Sequence, residues 1–260
     1  MHGLLVEEIA EKEISLLREE PLITECLIGL RYSYCEIMVD DEKYLGVSIT
    51  PIEDLLNVSP SLKLPKTIHE LRRLVISPNP YDRTIAQALM NALGSYLIRT
   101  IEQREIELIE ADIIELIGRH VVEPVLLVGN MGPLRRKLAE QGISEIYVVE
   151  RNPLNRYNAF PDVSLPRLIG KAKTIIITGA TLVNDTIDYI IEKAGNDKIL
   201  VLVGPTASVY PSTIVPKYFN IVASMIPRNI EAVKNVIRAG GGRWNFSQYC
   251  DNYLFVGEKN

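Results

Sequence analysis

From Val125 onward, short runs of β-branched and apolar residues alternate with segments of helical period, and this alternation limits the folds open to the chain more than any other feature. Residues 125–128, 146–149, 174–177, 199–203 and 221–224 read as strands. Between them, residues 134–141 and 184–194 read as helices, the second with Val183, Ile187, Ile190, Ile191 and Ala194 along one side. Ile230, Val233 and Ile237 mark a closing helix, stopped by Gly240-Gly241-Gly242. Strands apolar throughout are covered on both faces, so this half reads as a Rossmann-like α/β unit with a mainly parallel sheet.

The preceding residues follow a different grammar. Leu5, Ile9, Leu16 and Leu17, set among Glu and Lys, predict a helix over residues 4–19 that Pro21 terminates. Residues 24–32, 34–39 and 44–49 are β-prone, the last two joined by the acidic turn Asp40-Asp41-Glu42, and predict a small antiparallel sheet. Two helices follow, one lined by Ile68, Leu71 and Val75, the other by Ile85, Leu89, Ala92, Leu93, Tyr96 and Leu97. The expected division is an α+β domain over residues 1–105 and an α/β domain over residues 106–260. The second opens with a helical stretch over residues 110–117, and Gly118-Arg119-His120 is a hinge before its first strand.

Composition narrows the partners. A net charge of −5 over 260 residues gives no general attraction to nucleic acid or to an acidic membrane surface. The longest apolar runs, such as residues 174–180, fall far short of the roughly 20 residues a membrane span requires. The first residues turn acidic too early for a secretory signal, and Cys26, Cys35 and Cys250 offer no disulfide framework, so a reduced cytoplasm is the expected location. His69 and His120 have no His or Cys partner at ligand spacing, which leaves no preformed metal cage of that kind. There is no nucleophile elbow and no P-loop.

In open parallel sheets, ligands bind beyond the carboxyl ends of the strands, where turn backbones and helix N-termini direct N–H groups at one place. Three such ends carry glycine and small polar residues: Gly129-Asn130-Met131-Gly132-Pro133, Thr178-Gly179-Ala180-Thr181 and Gly204-Pro205-Thr206-Ala207-Ser208. Any one is an ordinary βα turn; together they predict a cleft. Glu150 ends the second strand roughly 20 residues after Gly129, the spacing at which a carboxylate accepts ribose hydroxyls, although the third glycine of a dinucleotide fingerprint is missing. Arg135, Arg136 and Lys137 oppose the dipole of the helix that starts near Pro133, so they serve either an anion or a solvated face. In the first half, Thr84 and Gln87 suggest a capping box, with Asn79, Tyr81, Asp82 and Arg83 on a proline-stiffened turn beside it. Asn91, two turns on, is either a buried brace or a cleft residue.

Three groups of residues carry a resemblance across nearly the whole chain: the run from Asn79 to Ala92, the loop Val128-Gly-Asn-Met-Gly-Pro-Leu134, and Val149-Glu-Arg-Asn-Pro153. Thr178-Gly-Ala-Thr-Leu-Val-Asn-Asp-Thr186, Val203-Gly-Pro-Thr206 and the glycines at Gly240 continue it in order. In these the chain resembles the prokaryotic family labelled putative heavy-metal chelation domain. The resemblance implies an N-terminal domain similar to the small domain of enolase, a Rossmann-like C-terminal domain and a functional cleft between them. Members often carry His-Phe-Pro where this chain has Asn130-Met131-Gly132, so a role of that histidine does not carry over.

The reading that follows is a cytoplasmic enzyme or binding protein that holds a small anionic ligand, a metal chelator or its precursor, between the two domains. Asp82, Arg83 and Glu150 are the candidate catalytic groups. Asn79, Gly129, Asn130, Gly132, Thr178, Gly179, Thr181, Asn184, Gly204 and Thr206 are the candidate ligand contacts. Arg83 would pair with a carboxylate or phosphate, the threonines would supply hydroxyls, and Asp82 and Glu150 would hold a hard cation or act as a base, with a divalent metal ion as the candidate cofactor. Neither nucleic acid nor membrane is an expected partner, and a homo-oligomer is compatible with the pattern. Two alternatives stand beside it: an S-adenosylmethionine- or nucleotide-dependent small-molecule transferase with Glu150 on a ribose, and a non-catalytic sensor or storage protein.

Overall fold

The computed structural model describes residues 4–56, 58, 59, 64–101, 107–109 and 113–257. The expected domain boundary between residues 105 and 106 lies outside them, as do the first residues of the helix expected over 110–117. Helix α1 (Leu5–Ser15) turns Leu5, Val6, Ile9 and Ala10 inward. It stops short of Pro21, where the Leu16 N–H tightens onto Lys12 O and Glu13 O and the Leu16 side chain faces solvent.

Strands β1 (Leu22–Leu27), β2 (Tyr32–Val39) and β3 (Glu42–Ile49) form an antiparallel sheet in that order. Tyr32, expected at the end of the first strand, instead opens the second. Val39 pairs with Glu42 across a two-residue turn, with Asp40 and Asp41 both at positive φ, the conformation that matches the right-handed twist of a hairpin. Cys26 and Cys35 are cross-strand partners joined by a disulfide, which corrects the expectation of unpaired cysteines; Cys250 is free and buried.

Helices α2 (Ile52–Leu55) and α3 (Leu71–Val75) lead to α4 (Pro80–Thr100). The expected capping box at Thr84 is absent. Asn79 caps α4 by accepting the Tyr81 N–H, Pro80 fills the first turn, and Thr84 lies inside the helix with its hydroxyl donating to Pro80 O. Nearly every side chain of α4 is buried, because the helix runs through the middle of the molecule. Two glycines permit this: a Cβ at Gly46 on β3 would lie 2.1 Å from Ala88 O, and one at Gly94 would lie 2.2 Å from Ser208 O. Backbone therefore packs directly on backbone on both sides of α4.

The second sheet contains β4 (Glu107–Ile109), β5 (Val125–Val128), β6 (Ile146–Val149), β7 (Thr174–Thr178), β8 (Ile199–Val203), β9 (Ile221–Pro227) and β10 (Cys250–Val256). Its order is β4-β10-β9-β8-β7-β5-β6, with β5 to β9 parallel and β10 antiparallel to both neighbours. β4 and β10 are additions to the expected set. Between the strands lie α5 (Ile113–Gly118), α6 (Gly132–Glu140), α7 (Leu165–Lys171), α8 (Ala180–Val183), α9 (Ile187–Ala194), α10 (Ile230–Arg238) and α11 (Arg243–Phe246).

One face of this sheet packs Leu126, Ile175, Ile177 and Leu202 into a core shared with α1, α4, α7 and α9. The other sets Val125, Leu127, Val148 and Ile176 against Ile117 of α5 and Leu134 and Leu138 of α6. The small sheet is also covered twice. Cys35 and Ile37 face α4, while Tyr34, Leu45 and Val47 pack on Met225, Val233, Ile237 and Phe246 from the other half of the chain. No helix among the described residues is long and apolar enough to cross a membrane.

Candidate functional site

The five parallel strands run β6-β5-β7-β8-β9, so the chain leaves β5 to one side for β6 and returns on the other side for β7. The loops after β5 and β7 consequently diverge and leave a crevice at the carboxyl ends of the strands, the topological switch point where such sheets bind ligands. A cavity of about 680 Å³ opens there. Its floor is the glycine-marked strand ends, and its opposite wall comes from Arg31, Tyr32 and residues 49–53 of the small-sheet half together with residues 242–245.

Gly129 sits at φ +103°, and a Cβ there would lie 2.8 Å from Thr178 Cγ2, so only glycine lets the two central strand ends meet. Its N–H donates to Val149 O, and the next N–H, of Asn130, donates to Glu150 Oε2 at 2.9 Å. Glu150 Oε1 accepts from Asn152 N at 2.8 Å. Each carboxylate oxygen of Glu150 thus already holds a backbone donor, which ties the turn after β5 to the loop after β6. Thr178 and Thr181 border the cavity. The Thr181 hydroxyl donates to Thr178 O, and Asn184 Oδ1 accepts from the Thr186 hydroxyl. Gly132 opens α6, and Met131, Gly132, Pro133 and Leu134 line the cavity, which places the start of that helix at its edge.

Of the residues singled out from the sequence, Gly129, Asn130, Gly132, Glu150, Thr178, Thr181, Asn184 and Gly204 line the cavity. The structure places the other five elsewhere. Asn79 is the α4 cap, and Asp82 accepts from the Ser77 hydroxyl at 2.7 Å. Arg83 donates to Val183 O and Ser77 O, both at 2.8 Å, and lies 3.4 Å from Asp185, so it fastens α4 to the segment after β7. Burial raises the Asp185 carboxyl above its usual value, with the Arg83 charge working in the opposite direction. Gly179 abuts the backbone of Thr206 and Ala207. Thr206 accepts the Ile49 N–H on its hydroxyl, and its carbonyl accepts from Gln87 and Asn91. Asn91 also donates to Val47 O at 2.6 Å, which makes it the brace. Arg135, Arg136 and Lys137 lie outside the cavity lining.

Sequence reasoning missed the far wall. Arg151 grips Asp54 with two bonds, at 2.8 and 2.9 Å, and Asn152 Nδ2 reaches Glu53 Oε2, so the loop after β6 is clasped to α2 over the cavity. Arg31, Tyr32, Arg243 and Trp244 complete it. Burial pushes the Tyr32 phenol up to about 12, against the pull of the Arg243 charge. The available signals were Arg151-Asn152 directly after Glu150, and Arg243 with the sole tryptophan of the chain, Trp244, directly after the Gly240–Gly242 run.

Two family models match the chain, DUF364 over residues 112–256 and DUF4213 over residues 10–94, both described as "Putative heavy-metal chelation". An uncharacterized protein of Methanocaldococcus jannaschii is 31% identical over 218 residues, which span 81% of this chain and 82% of that protein. A solved structure of unknown function from the DUF364 family, from Pyrococcus horikoshii, is similar with a TM-score of 0.85 at 27% identity, covering 97% of this chain and 100% of that one. Another, from Desulfitobacterium hafniense DCB-2, shares the fold with a TM-score of 0.76 at 16% identity, covering 96% and 98%.

Proposed function

The chain belongs to the family described as "Putative heavy-metal chelation", and from that premise we propose that its cavity holds a small anionic organic ligand, a metal chelator or its precursor, and not a bare metal ion. The observation that carries this reading is the placement of the cavity at the switch point of the parallel sheet, closed over by the other half of the chain. Glycine turns and the α6 N-terminus offer N–H donors to an anion there.

The donor set does not fit a heavy-metal ion. Among the described residues, no cysteine or histidine lines the cavity and no group of three His, Cys, Asp or Glu is placed to hold a metal. Soft metals favour thiolate and imidazole, whereas this lining offers carboxylates, amides, hydroxyls and backbone N–H groups. A metal would therefore come to this cavity already wrapped in its organic ligand, and the protein's contacts would be to that ligand.

Thermal denaturation of the whole chain tests the reading. Citrate or EDTA, free or loaded with nickel, should raise the melting temperature by mass action, and nickel chloride alone should not. Stabilisation by nickel chloride with no effect of either chelator would refute it. The transferase reading rests on Glu150, which directly follows β6, the strand beside β5, and lines the cavity. A melting shift with S-adenosylmethionine that disappears in Glu150→Ala would favour it instead.

A further inference from the structure

Outside the cavity, a fully buried acid stands without a compensating charge among the described residues. Glu13 sits in the last turn of α1 with no exposed surface. Its Oε1 accepts the Tyr210 N–H at 2.7 Å, and its Oε2 has no hydrogen-bond partner among the described residues. The cations of the elements around it are engaged elsewhere. Lys12, its neighbour on α1, lies 2.8 Å from Glu8 and donates to Thr213 O at 3.0 Å. Arg18 beyond α1 and Arg72 and Arg73 of α3 face solvent, and Arg83 and Arg99 of α4 are bonded to Val183 O and to Asp251. In the loop between β8 and β9, Lys217 pairs with Glu8, and the Tyr218 hydroxyl bonds the same carboxylate. The other titratable groups nearby bring no positive charge. Asp82 of α4 accepts from Ser77, Tyr96 packs edge-on against Tyr44, and Asp188 of α9 takes the Leu5 N–H at the far end of α1. Tyr253 of β10 donates to Val209 O at 3.4 Å, and burial raises its phenol and that of Tyr210.

A carboxylate at this position would be an unpaired anion cut off from water, at a helix end where the dipole also opposes negative charge. Burial accordingly raises Glu13 well above its ordinary 4.5, with the single bond from the Tyr210 N–H pulling the other way. The neutral acid still accepts from Tyr210 through its carbonyl oxygen and leaves no unpaired charge. Ionisation instead requires that the side chain reach water. The shortest way out is local, because Leu16, three residues on, is already exposed. The end of α1 is tied to the loop after β8 at Tyr210 and Thr213, whereas its start is tied separately, through the Leu5 N–H and Glu8.

We infer that Glu13 is a proton-dependent latch: as the neutral acid it docks the end of α1 on the loop between β8 and β9, and loss of its proton to solvent releases that end. The loop so held begins at Gly204, which lines the cavity. The latch does not depend on what the cavity holds.

Urea denaturation of the whole chain across pH, together with hydrogen exchange, tests it. The unfolded chain ionises Glu13 above about 4.5 while the folded chain retains the proton. The stability it contributes is therefore full below that value and is lost as pH rises toward the folded value. Each pH unit in that window lowers the folded-to-unfolded ratio by up to about tenfold. Glu13→Gln keeps an acceptor for the Tyr210 N–H and cannot ionise, so its stability relative to wild type should grow by about tenfold or more between about pH 5 and about pH 8. Glu11→Gln, at an exposed position of the same helix, should follow wild type. In wild type, the exchange protection of the last amides of α1, corrected for intrinsic rates, should fall with pH more than that of β7, and in Glu13→Gln it should not. A constant stability difference between wild type and Glu13→Gln across pH, or the same gain in Glu11→Gln, overturns the latch. So does α1 protection that keeps pace with β7, which wild type alone decides should Glu13→Gln fail to fold.

Discussion

The turn after β8 and the turn after β7 have similar sequences and opposite uses. In Gly204-Pro205-Thr206, the threonine hydroxyl and carbonyl are both taken up by the other half of the chain, through Ile49, Gln87 and Asn91. In Thr178-Gly179-Ala180-Thr181, the threonine hydroxyls bond within their own turn and the residues border the cavity. A glycine turn with a hydroxyl at a strand end is therefore a ligand contact or a structural joint according to what lies above it. Here α4 and β3 supply partners for the threonine of the first turn, while the threonine hydroxyls of the second bond within the turn at the edge of the cavity.

That contrast gives an ordered set of tests. The largest stability effect should come from Asn91→Leu, which strands Val47 O and one bond to Thr206 O in a buried place; a loss of about 2–3 kcal/mol is expected in urea denaturation. A loss below about 0.5 kcal/mol would mean that the joint is not load sharing between the two halves. The next effect is in acid and concerns a second joint, where Lys234 of α10 bonds Glu36 of β2 at 2.8 Å and Glu25 of β1 at 2.7 Å. Burial pushes the Glu25 carboxyl up, but bonds from Lys234, Tyr34 and Arg238 outweigh it and hold the group at about 2, below its ordinary 4.5. A carboxyl lowered by folding stabilises above its unfolded value and loses that contribution as pH falls toward its folded one. Stability should therefore decline between about pH 5 and pH 2, and this part of the slope should flatten in Glu25→Gln, as read by urea midpoints across pH. The smallest stability effect should be that of Thr178→Val, under about 1 kcal/mol, with a clear loss of the chelator-induced melting shift. A large destabilisation with the shift intact would remove the distinction between the two turns.

How much of this was legible depended on whether the deciding interaction was local. The five parallel strands showed in the sequence because each is dominated by a run of β-branched or apolar residues. β10 did not, because Asp251 and Asn252 break its pattern and its place between β9 and β4 is fixed by pairing across the sheet. At the site, the glycine turns were readable since φ > 0 and close backbone approach leave a residue-type signature. The bonds of Arg83 were not legible, because an arginine beside a helix N-terminus looks the same in sequence whether it faces an anion or a carbonyl such as Val183 O. The Arg31 and Arg243 wall had no local signature, since the two residues meet only through the packing of β2 on α10 and α11.

That packing also determines when the molecule can become itself. Lys234 and Glu36 meet across 198 residues of chain, and the outer face of β2 and β3 has no cover until residues 225–246 arrive. Contacts of such long sequence separation form late, because the loop they close must be ordered first. Early in refolding the meander would stand with one greasy side bare, prone to self-association. For the same reason it is a poor cassette for grafting onto another protein: its hydrophobic closure is supplied by a helix encoded at the other end.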